Sequence, residues 1–344
     1  MKPLHILSVA YPFAPVTDDP AGGAEQVLAA LDRALVRAGH RSTVLACEGS
    51  HTAGELQALR IPAGPIDGPA RDTAHANLRA ALADRIERER PDLVHLHGID
   101  FADYLPAPGV PVLATLHLPL DWYAPAALRP ARPDTHLQPV SADQASRAAP
   151  DLALLPPVPN GVDVEHYQPS GARSDYALVL GRVAPEKGFH HALDAARLAD
   201  MPVRAAGMLF PYPAHRDYFD EAVKPRLDEQ RRWLGPTAGE AKRRLLAEAR
   251  CLLVPSTAPE TSSLVAMEAL ASGTPVIAFR AGALPFIIDH GRTGFIVDNV
   301  EEMADAMRRL DEIDPAACRR AACDRFPLAR TTAAYLDLYA RLAA

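Results

Sequence analysis

Two glutamates in the second half of the chain have the type and spacing to hold one ligand. Glu260 and Glu268 are eight residues apart, and Glu268 stands in an otherwise small and apolar run, Leu264–Ala271. On a single helix this spacing would place them ~12 Å and ~80° apart. A carboxylate inside such a run is costly unless something binds it. We therefore predict that one extended ligand meets both carboxylates. The alternatives are partial exposure or an arginine partner for Glu268, and a carboxylate favoured by the helix dipole for Glu260.

Two cations follow a predicted strand in the same half of the chain. Arg182 and Lys187 are five residues apart and are flanked by Gly181 and Gly188. Because arginine binds as a fork and lysine as a point charge, the two side chains can converge on one diphosphate. The alternative is a pair of solvated surface cations.

A pair of glycines, Gly22 and Gly23, stands at the predicted start of a helix shortly after the first strand. Unpaired N–H groups and the absence of side chains let a phosphate approach the backbone there. The alternative is an ordinary loop-to-helix junction, since the segment is not the G-x-G-x-x-G dinucleotide motif.

Three histidines lie at the ends of predicted strands. His95 and His97 alternate and therefore point to the same side of one strand, and His117 ends the next strand. A zinc site would need a third ligand and a glutamate at fixed spacing, and the sequence has no H-E-x-x-H motif. We expect His117 to contact substrate, with a structural role as the alternative.

The elements that must position these residues are buried strands alternating with amphipathic helices. This pattern is typical of parallel sheets covered on both faces, and it occurs twice along the chain. The residues that follow strands should line a cleft between two such domains. The predicted strands are Leu4–Ala10, Ser42–Ala46, Asp92–His97, Pro111–His117, Tyr176–Gly181, Val203–Gly207, Cys251–Pro255 and Pro275–Phe279.

A segment rich in proline and turn residues, Pro156–Gly161, separates the two halves and suits a linker. We predict domains at residues 1–158 and 159–327, with residues 328–344 returning to the first domain. The helix Thr331–Leu342 should pack there through Tyr335, Leu338 and Leu342. The stretch Pro119–Pro139 is expected to be a long irregular connection.

Composition narrows the class of protein. The 344 residues are 48% hydrophobic and 23% charged, with a net charge of −7 and no long basic run, which argues against a nucleic-acid partner. The first apolar stretch is too short for a signal peptide, and no segment reaches membrane-spanning length. The four cysteines lack metal or redox spacing. We expect a cytoplasmic protein, with peripheral membrane contact left open.

Taken in order, these motifs resemble those of family-4 retaining glycosyltransferases of the GT-B fold, across nearly the whole chain. Glu260 and Glu268 resemble the E-x7-E motif of the family. Arg182 and Lys187 resemble its diphosphate-binding pair, and Gly22-Gly23 resembles its donor-side loop. Pro159–Asp163 resembles the hinge motif. The Glu-x-Phe-Gly pattern of the family is replaced by Glu-Thr-Ser-Ser, at the point where backbone amides of the family approach the donor sugar.

The resemblance implies an α/β GT-B architecture of two doubly wound Rossmann-like domains facing across a cleft. It implies an N-terminal acceptor-side domain and a C-terminal domain that binds a nucleotide-sugar. Arg182 and Lys187 would bind the diphosphate, Glu268 the ribose, and Glu260 and His117 the sugar. The remaining donor contacts would come from backbone amides at Gly22, Gly23, Ser262, Ser263 and Leu264.

The same resemblance leaves several points open. No cofactor or metal is expected, because the chain has no Asp-x-Asp triplet, the metal-binding motif of the other major glycosyltransferase fold. The acceptor is unidentified and could be a saccharide, a lipid or a small molecule. The alternative functions are a non-catalytic nucleotide-sugar-binding protein and a GT-B epimerase or phosphorylase.

Overall fold

The structure is a computed structural model that describes residues 2–20, 22–62 and 64–344. The chain divides into two compact units: unit 1 is Met1–Asn160 with Arg330–Ala344, and unit 2 is Gly161–Ala329. Both transitions fall two residues after the positions that the sequence predicts. Each unit has its own parallel sheet, as the alternating pattern indicates.

Unit 1 is built on a six-stranded, fully parallel sheet with the order β3-β2-β1-β4-β5-β6. Its strands are β1 His5–Val9, β2 Arg41–Cys47, β3 Glu55–Leu59, β4 Leu93–Leu96, β5 Val112–Leu116 and β6 Thr135–Pro139. Its helices up to the linker are α1 Gly23–Arg37, α2 Gly68–Glu89, α3 Pro125–Leu128 and α4 Ala142–Ser146.

The two faces of this sheet bury separate cores. On β2, Leu45 belongs to the core cluster that includes Leu78 of α2. Its neighbours Val44 and Ala46 belong to the cluster that includes Leu28 of α1. Since successive side chains of a strand point to opposite faces, α1 and α2 cover opposite sides of the sheet. This is the doubly wound arrangement.

Unit 2 repeats the architecture. Its parallel sheet has the order β12-β11-β10-β7-β8-β9. The strands are β7 Ala177–Leu180, β8 Val203–Ala206, β9 Arg231–Gly235, β10 Cys251–Val254, β11 Val276–Phe279 and β12 Gly294–Val297. The helices are α5 Phe189–Ala199, α6 Pro213–Tyr218, α7 Gly239–Glu248, α8 Leu264–Ala271, α9 Leu284–Ile287, α10 Val300–Arg308 and α11 Pro315–Arg325.

Both sheets have the same strand order, in which the first and fourth strands of the unit are neighbours. The chain runs outward to one edge from the first strand and to the other edge from the fourth. In open α/β sheets, ligands bind at this reversal, beyond the carboxyl ends of the strands. The reversal falls between β1 and β4 in unit 1, and between β7 and β10 in unit 2.

The eight predicted strands are all present, and they are the inner strands of the two sheets. The four strands that the sequence reading missed, β3, β6, β9 and β12, are the outermost ones. One of them corrects a specific prediction: the stretch Pro119–Pro139 is not irregular throughout, because its last five residues form β6 and pair with β5. The stretch is rich in proline, with Pro133 shortly before the strand and Pro139 as its last residue, which hid the strand from the sequence pattern.

The closing helix, α12 Leu328–Leu342, packs on unit 1. Tyr335 and Leu338 are buried as predicted, whereas Leu342 is only half-buried and Tyr339 is buried in addition. Thr331 Oγ1 donates to the carbonyl of Pro159 at 2.8 Å, which ties the start of the helix to the end of the linker. Among the described residues, no helix combines the length and the apolar character needed to cross a bilayer.

Candidate functional site

A lysine and a glutamate meet beyond the reversal point of the sheet in unit 2. Lys187 lies in a short turn after β7, and Glu260 lies in the loop after β10. Lys187 Nζ is 2.6 Å from Glu260 Oε1, and Ser256 Oγ donates to the same oxygen at 2.5 Å. The structure thus brings one predicted cation to one predicted carboxylate.

Backbone contacts fix these two loops against each other. Gly188 has a φ of 65°, and a Cβ there would overlap the carbonyl of Pro255. The amide of Thr257 donates to the carbonyl of Glu186 at 2.9 Å. Glycine is therefore required at this position both for the positive φ and for the close approach.

The charge on Glu260 is set by opposing effects. Burial acts to raise the pKa of this carboxyl group, since it disfavours the charged form. The Lys187 ammonium, the hydrogen bonds from Lys187 and Ser256, and the charge of Arg182 act in the other direction. Together they outweigh burial and hold the pKa of Glu260 below its usual value. The site therefore contains an ionised pair at neutral pH.

Arg182, the second predicted cation, pairs with Glu186 and does not contact Glu260 directly. Its guanidinium donates to Glu186 Oε1 at 2.9 Å, and the pair is about one quarter to one third exposed. The Nε of Arg182 is sealed from solvent and has no hydrogen-bond partner among the described residues. Arg182 thus acts on Glu260 through its charge, whereas Lys187 contacts Glu260 directly.

Glu268 lies on α8 and is 2% exposed. Two buried side chains contact it: Tyr167 OH donates to Oε1 at 2.8 Å, and Lys242 Nζ lies 2.9 Å from the same atom. The partner that the sequence left open is therefore a lysine on α7 together with a tyrosine after the linker. Neither was identified from sequence. The one available signal was that Lys242 is one of only four lysines in the chain.

Glu260 and Glu268 do not lie on one helix, so the distance predicted from helical spacing is wrong. Glu260 is not part of α8, which begins at Leu264 with Ser263 as its N-cap. Its backbone belongs to an irregular loop, where the carbonyl of Glu260 accepts from the amide of Ala283 at 2.7 Å. The separation expected for one helix therefore does not apply between Glu260 and Glu268.

The residues that replace the Phe-Gly pattern lie between the two glutamates. Ser263 is buried and makes no side-chain capping bond. Ser262 Oγ is sealed and has no hydrogen-bond partner within the described residues. Leu264 is buried at the first position of α8. These residues therefore stand at a helix start, where backbone N–H groups lack intrahelical partners.

In unit 1, Gly22 caps the first helix. Gly22, which has no side chain to cap the helix, is the N-cap residue of α1, and Gly23 begins the helix. A Cβ on Gly22 would overlap the carboxylate of Glu25, which is itself buried. The absence of a side chain at Gly22 therefore accommodates an acidic residue of the chain itself at the helix start, a contact that the sequence analysis did not anticipate.

The three histidines of unit 1 form a network in which His95 and His97 are buried and His117 is half-buried. His97 Nδ1 is 3.0 Å from His117 Nε2, and the rings of His95 and His97 are 3.9 Å apart between centroids. His95 contacts Thr115 Oγ1 at 2.7 Å and Tyr339 OH at 2.8 Å, which links the network to α12. The described residues contain no group of three or more His, Cys, Asp or Glu side chains able to hold a metal ion.

Burial keeps these histidines neutral. It lowers the pKa of His117 to about 3. It also moves the pKa of His95 and of His97 well below the usual range, with a smaller contribution from the charges of neighbouring histidines. His97 Nε2 is sealed and has no partner in the described part of the chain. The histidine network is therefore polar but uncharged.

Comparison with known proteins shows two family matches. Residues 21–147 match the family described as Glycosyltransferase Family 4, and residues 174–312 match Glycosyl transferases group 1. A D-inositol 3-phosphate glycosyltransferase from Saccharomonospora viridis is 32% identical over 232 residues, which are 58% of this chain and 53% of that protein. The matched region thus spans about half the length of this relative.

Two solved structures resemble the whole chain. AviGT4, a glycosyltransferase involved in avilamycin A biosynthesis, has a TM-score of 0.73 at 25% identity, and the match covers 99% of this chain and 98% of that one. Anabaena Alr3699/HepE in complex with UDP-glucose has a TM-score of 0.77 at 18% identity, with coverage of 98% and 100%, and shows likeness of fold. Two family matches that divide the chain between them and a fold shared along its length lead to one conclusion: the chain belongs to the family-4 glycosyltransferases of the GT-B fold.

Proposed function

We propose that the chain transfers a sugar from a nucleoside-diphosphate sugar to an acceptor, with retention of anomeric configuration and without a metal ion. The observation that carries this proposal is the ion pair of Lys187 with Glu260 beyond the reversal point of the unit 2 sheet. An ammonium has three N–H donors, and Glu260 accepts from one of them. The other donors of Lys187 remain for phosphate oxygens of a ligand whose sugar meets Glu260.

The proposed roles divide the donor among four groups of residues. Arg182 and Lys187 neutralise the diphosphate, and Glu268 accepts hydrogen bonds from the ribose. Glu260 and His117 hold hydroxyls of the sugar. Backbone amides supply the remaining contacts, from Ser262, Ser263 and Leu264 at the start of α8 and from Gly22 and Gly23 at the start of α1.

The proposed catalysis depends on the negative charge that develops on the leaving diphosphate. The bond between the anomeric carbon and the diphosphate oxygen breaks, and its electron pair leaves with the diphosphate. Cations already fixed beside that oxygen stabilise this charge without reorganisation. Two basic side chains can therefore serve where other enzymes use a metal ion. Retention requires the acceptor oxygen to bond on the face that the diphosphate leaves, and the proton of the acceptor hydroxyl passes to the departing diphosphate.

Donor binding can be tested first. Thermal unfolding would be followed with UDP-, GDP-, ADP- and TDP-sugars, starting with UDP-glucose because a structural relative binds it. A ligand present at 100 times its dissociation constant stabilises a protein by ~2.7 kcal/mol, which gives a readily measured shift. If no nucleotide-sugar raises the midpoint, the donor site is wrong.

Transfer needs a separate measurement, because a non-catalytic binding protein would pass the first test. The preferred donor would be incubated with candidate acceptors in the presence of EDTA, and products would be identified by mass spectrometry. D-inositol 3-phosphate is the first acceptor to test, since it appears in the name of a relative. NMR of the product would report the anomeric configuration. An inverted product, or activity abolished by EDTA, would contradict the corresponding part of the proposal.

A further inference from the structure

Three buried side chains of unit 2 form a group that we call the Glu268 triad: Glu268, Lys242 and Tyr167. Lys242 is 6% exposed and lies on α7, and its Nζ is 5.7 Å from the centre of the Tyr167 ring. Lysine is rarely buried without a partner, because its ammonium loses hydration. The triad is therefore a specific arrangement rather than a chance contact.

Both contacts from the triad end on the same atom. Tyr167 OH and Lys242 Nζ each bind Glu268 Oε1, at 2.8 and 2.9 Å. The Glu268 side chain is only 3% exposed. An ionised carboxylate can accept about four hydrogen bonds through its two oxygens. Because both of these contacts use Oε1, Oε2 is the oxygen that can accept from a further donor group.

The position of Tyr167 is itself fixed. Arg319, on α11, donates through Nη1 to the carbonyl of Tyr167 at 2.5 Å and to the carbonyl of Ala271 at 2.8 Å. It also donates to the carbonyl of Val164. Ala271 is the last residue of α8, so one guanidinium joins the backbone of Tyr167 to the helix that carries Glu268. The phenol of Tyr167 and the carboxylate of Glu268 are therefore held at a fixed position relative to each other.

We propose that Lys242 and Tyr167 are positioning residues that orient Glu268 to read the ribose diol of the donor. Lys242 balances the charge of the buried carboxylate, and both residues immobilise Oε1, so that Oε2 is presented to ribose hydroxyls. The chain consequently selects ribonucleotides over nucleotides that lack these hydroxyls. The inference rests on the proposed donor site and adds to it the residues that make Glu268 selective.

The test is a double-mutant cycle on Lys242→Met and Glu268→Gln, with the exposed Lys224→Met as the matched control. Calorimetry would measure the affinities of UDP, GDP and ADP and of their 2′,3′-dideoxy analogues. For the base that binds, we expect the wild type and the control to prefer the ribonucleotide by ~10-fold or more. Glu268→Gln and the double variant should lose most of this preference, and Lys242→Met should reduce it.

The double variant keeps the test decisive even if Lys242→Met alone fails to fold, because it leaves no unpaired buried charge. If Lys242 acts through Glu268, adding Lys242→Met to the Glu268→Gln variant should change the ribonucleotide affinity by less than ~2-fold. A further loss of ~10-fold would overturn the positioning role, since Lys242 would then act independently.

The remaining outcomes separate the inference from the donor site on which it rests. A folded Lys242→Met variant with the full wild-type preference would overturn the inference and leave the donor site intact. A wild type that binds nucleoside diphosphates without ribose preference would overturn the role of Glu268, and the inference with it. A wild type that binds none of the three would overturn the donor site itself.

Discussion

The carboxyl edges of the two sheets share a strand order but differ in their electrostatics. In unit 1, the side chains beyond β4 and β5 are histidines linked to each other, to Thr115 and to the tyrosines of α12. In unit 2, the side chains beyond β7 and β10 form the Lys187–Glu260 ion pair, and Glu268 pairs with Lys242. We call the histidine network of unit 1 the neutral edge, because burial keeps its imidazoles uncharged. We call the Lys187–Glu260 and Lys242–Glu268 pairs of unit 2 the charged edge, because each pair joins residues of opposite charge.

This difference shows how one topology can support two kinds of contact. Burial removes charge from histidine, because deprotonating an imidazolium near neutral pH costs only a few kilocalories per mole. Lysine and glutamate instead keep their charges when they are paired at short distance. In the proposed function, the neutral edge contacts hydroxyl groups of the sugar and the charged edge contacts the nucleotide diphosphate and ribose. Each of the following predictions alters one edge and should leave the other unaffected.

The largest effect is expected on turnover when the charged edge loses Lys187. Because the diphosphate gains charge in the transition state, Lys187→Ala should lower kcat by ~10²–10³ and raise the donor KM far less. Donor hydrolysis can serve as the assay until the acceptor is known. Lys224→Ala, at an exposed position, is the control. Near-normal turnover in a folded Lys187→Ala variant would show that Lys187 is an ordinary structural cation.

The next effect concerns binding, and it distinguishes the two glutamates. Glu268→Ala should weaken nucleoside diphosphate binding by roughly 10- to 150-fold, because contacts to a charged acceptor are lost in the ground state. Glu260→Ala should weaken binding of the nucleotide-sugar more than binding of the nucleotide alone. Calorimetry with both ligands, on variants shown to be folded by circular dichroism, makes the measurement. Equal losses in the two variants would contradict this division of roles.

A smaller effect on stability is expected at the neutral edge. Tyr339→Phe removes the hydroxyl that contacts His95 Nδ1 and leaves that buried atom unpaired, which should reduce the free energy of unfolding by ~1–3 kcal/mol. Tyr335→Phe should cost less, because Thr115 keeps its contact with His95. Thermal midpoints report both changes, and nucleotide affinity should stay constant. A greater loss for Tyr335→Phe would reverse the expected order.

The smallest effect is a dependence of stability on pH. The folded pKa of His117 is lowered to about 3 from an ordinary value of 6.5, so between these values the unfolded chain binds the proton and the folded chain does not. Stability is therefore complete above pH 6.5 and falls as the pH decreases, by up to ~1.4 kcal/mol per pH unit for each such histidine.

Comparison of His117→Gln with the wild type isolates one of these protons. Denaturant unfolding at pH 6.5, 6.0, 5.5 and 5.0 should show a shallower slope in the variant. An unchanged slope would mean that His117 is protonated in the folded state, and the description of this edge as neutral would then be wrong.

The extent to which the sequence predicted the fold depended on the position of each strand in its sheet. Inner strands such as β1 and β10 are buried throughout and appear as continuous apolar runs. The outer strands β3 and β9 are partly exposed, and their mixed polar and apolar residues resemble loops, whereas the outer strand β12 is buried along its length. Their strand conformation depends on a neighbour that is remote in sequence, so only the pairing reveals it.

The sequence by itself determined the parallel α/β class, the inner strands, and which loops carry candidate site residues, because hydrophobicity and its periodicity are local properties of the chain. Only the tertiary structure decided the partners. It paired Lys187 with Glu260 across 73 positions, and Lys242 and Tyr167 with Glu268 across 26 and 101. Hydrogen bonds and ion pairs act over a few ångströms of space, and sequence separation carries no information on which side chains come within that distance.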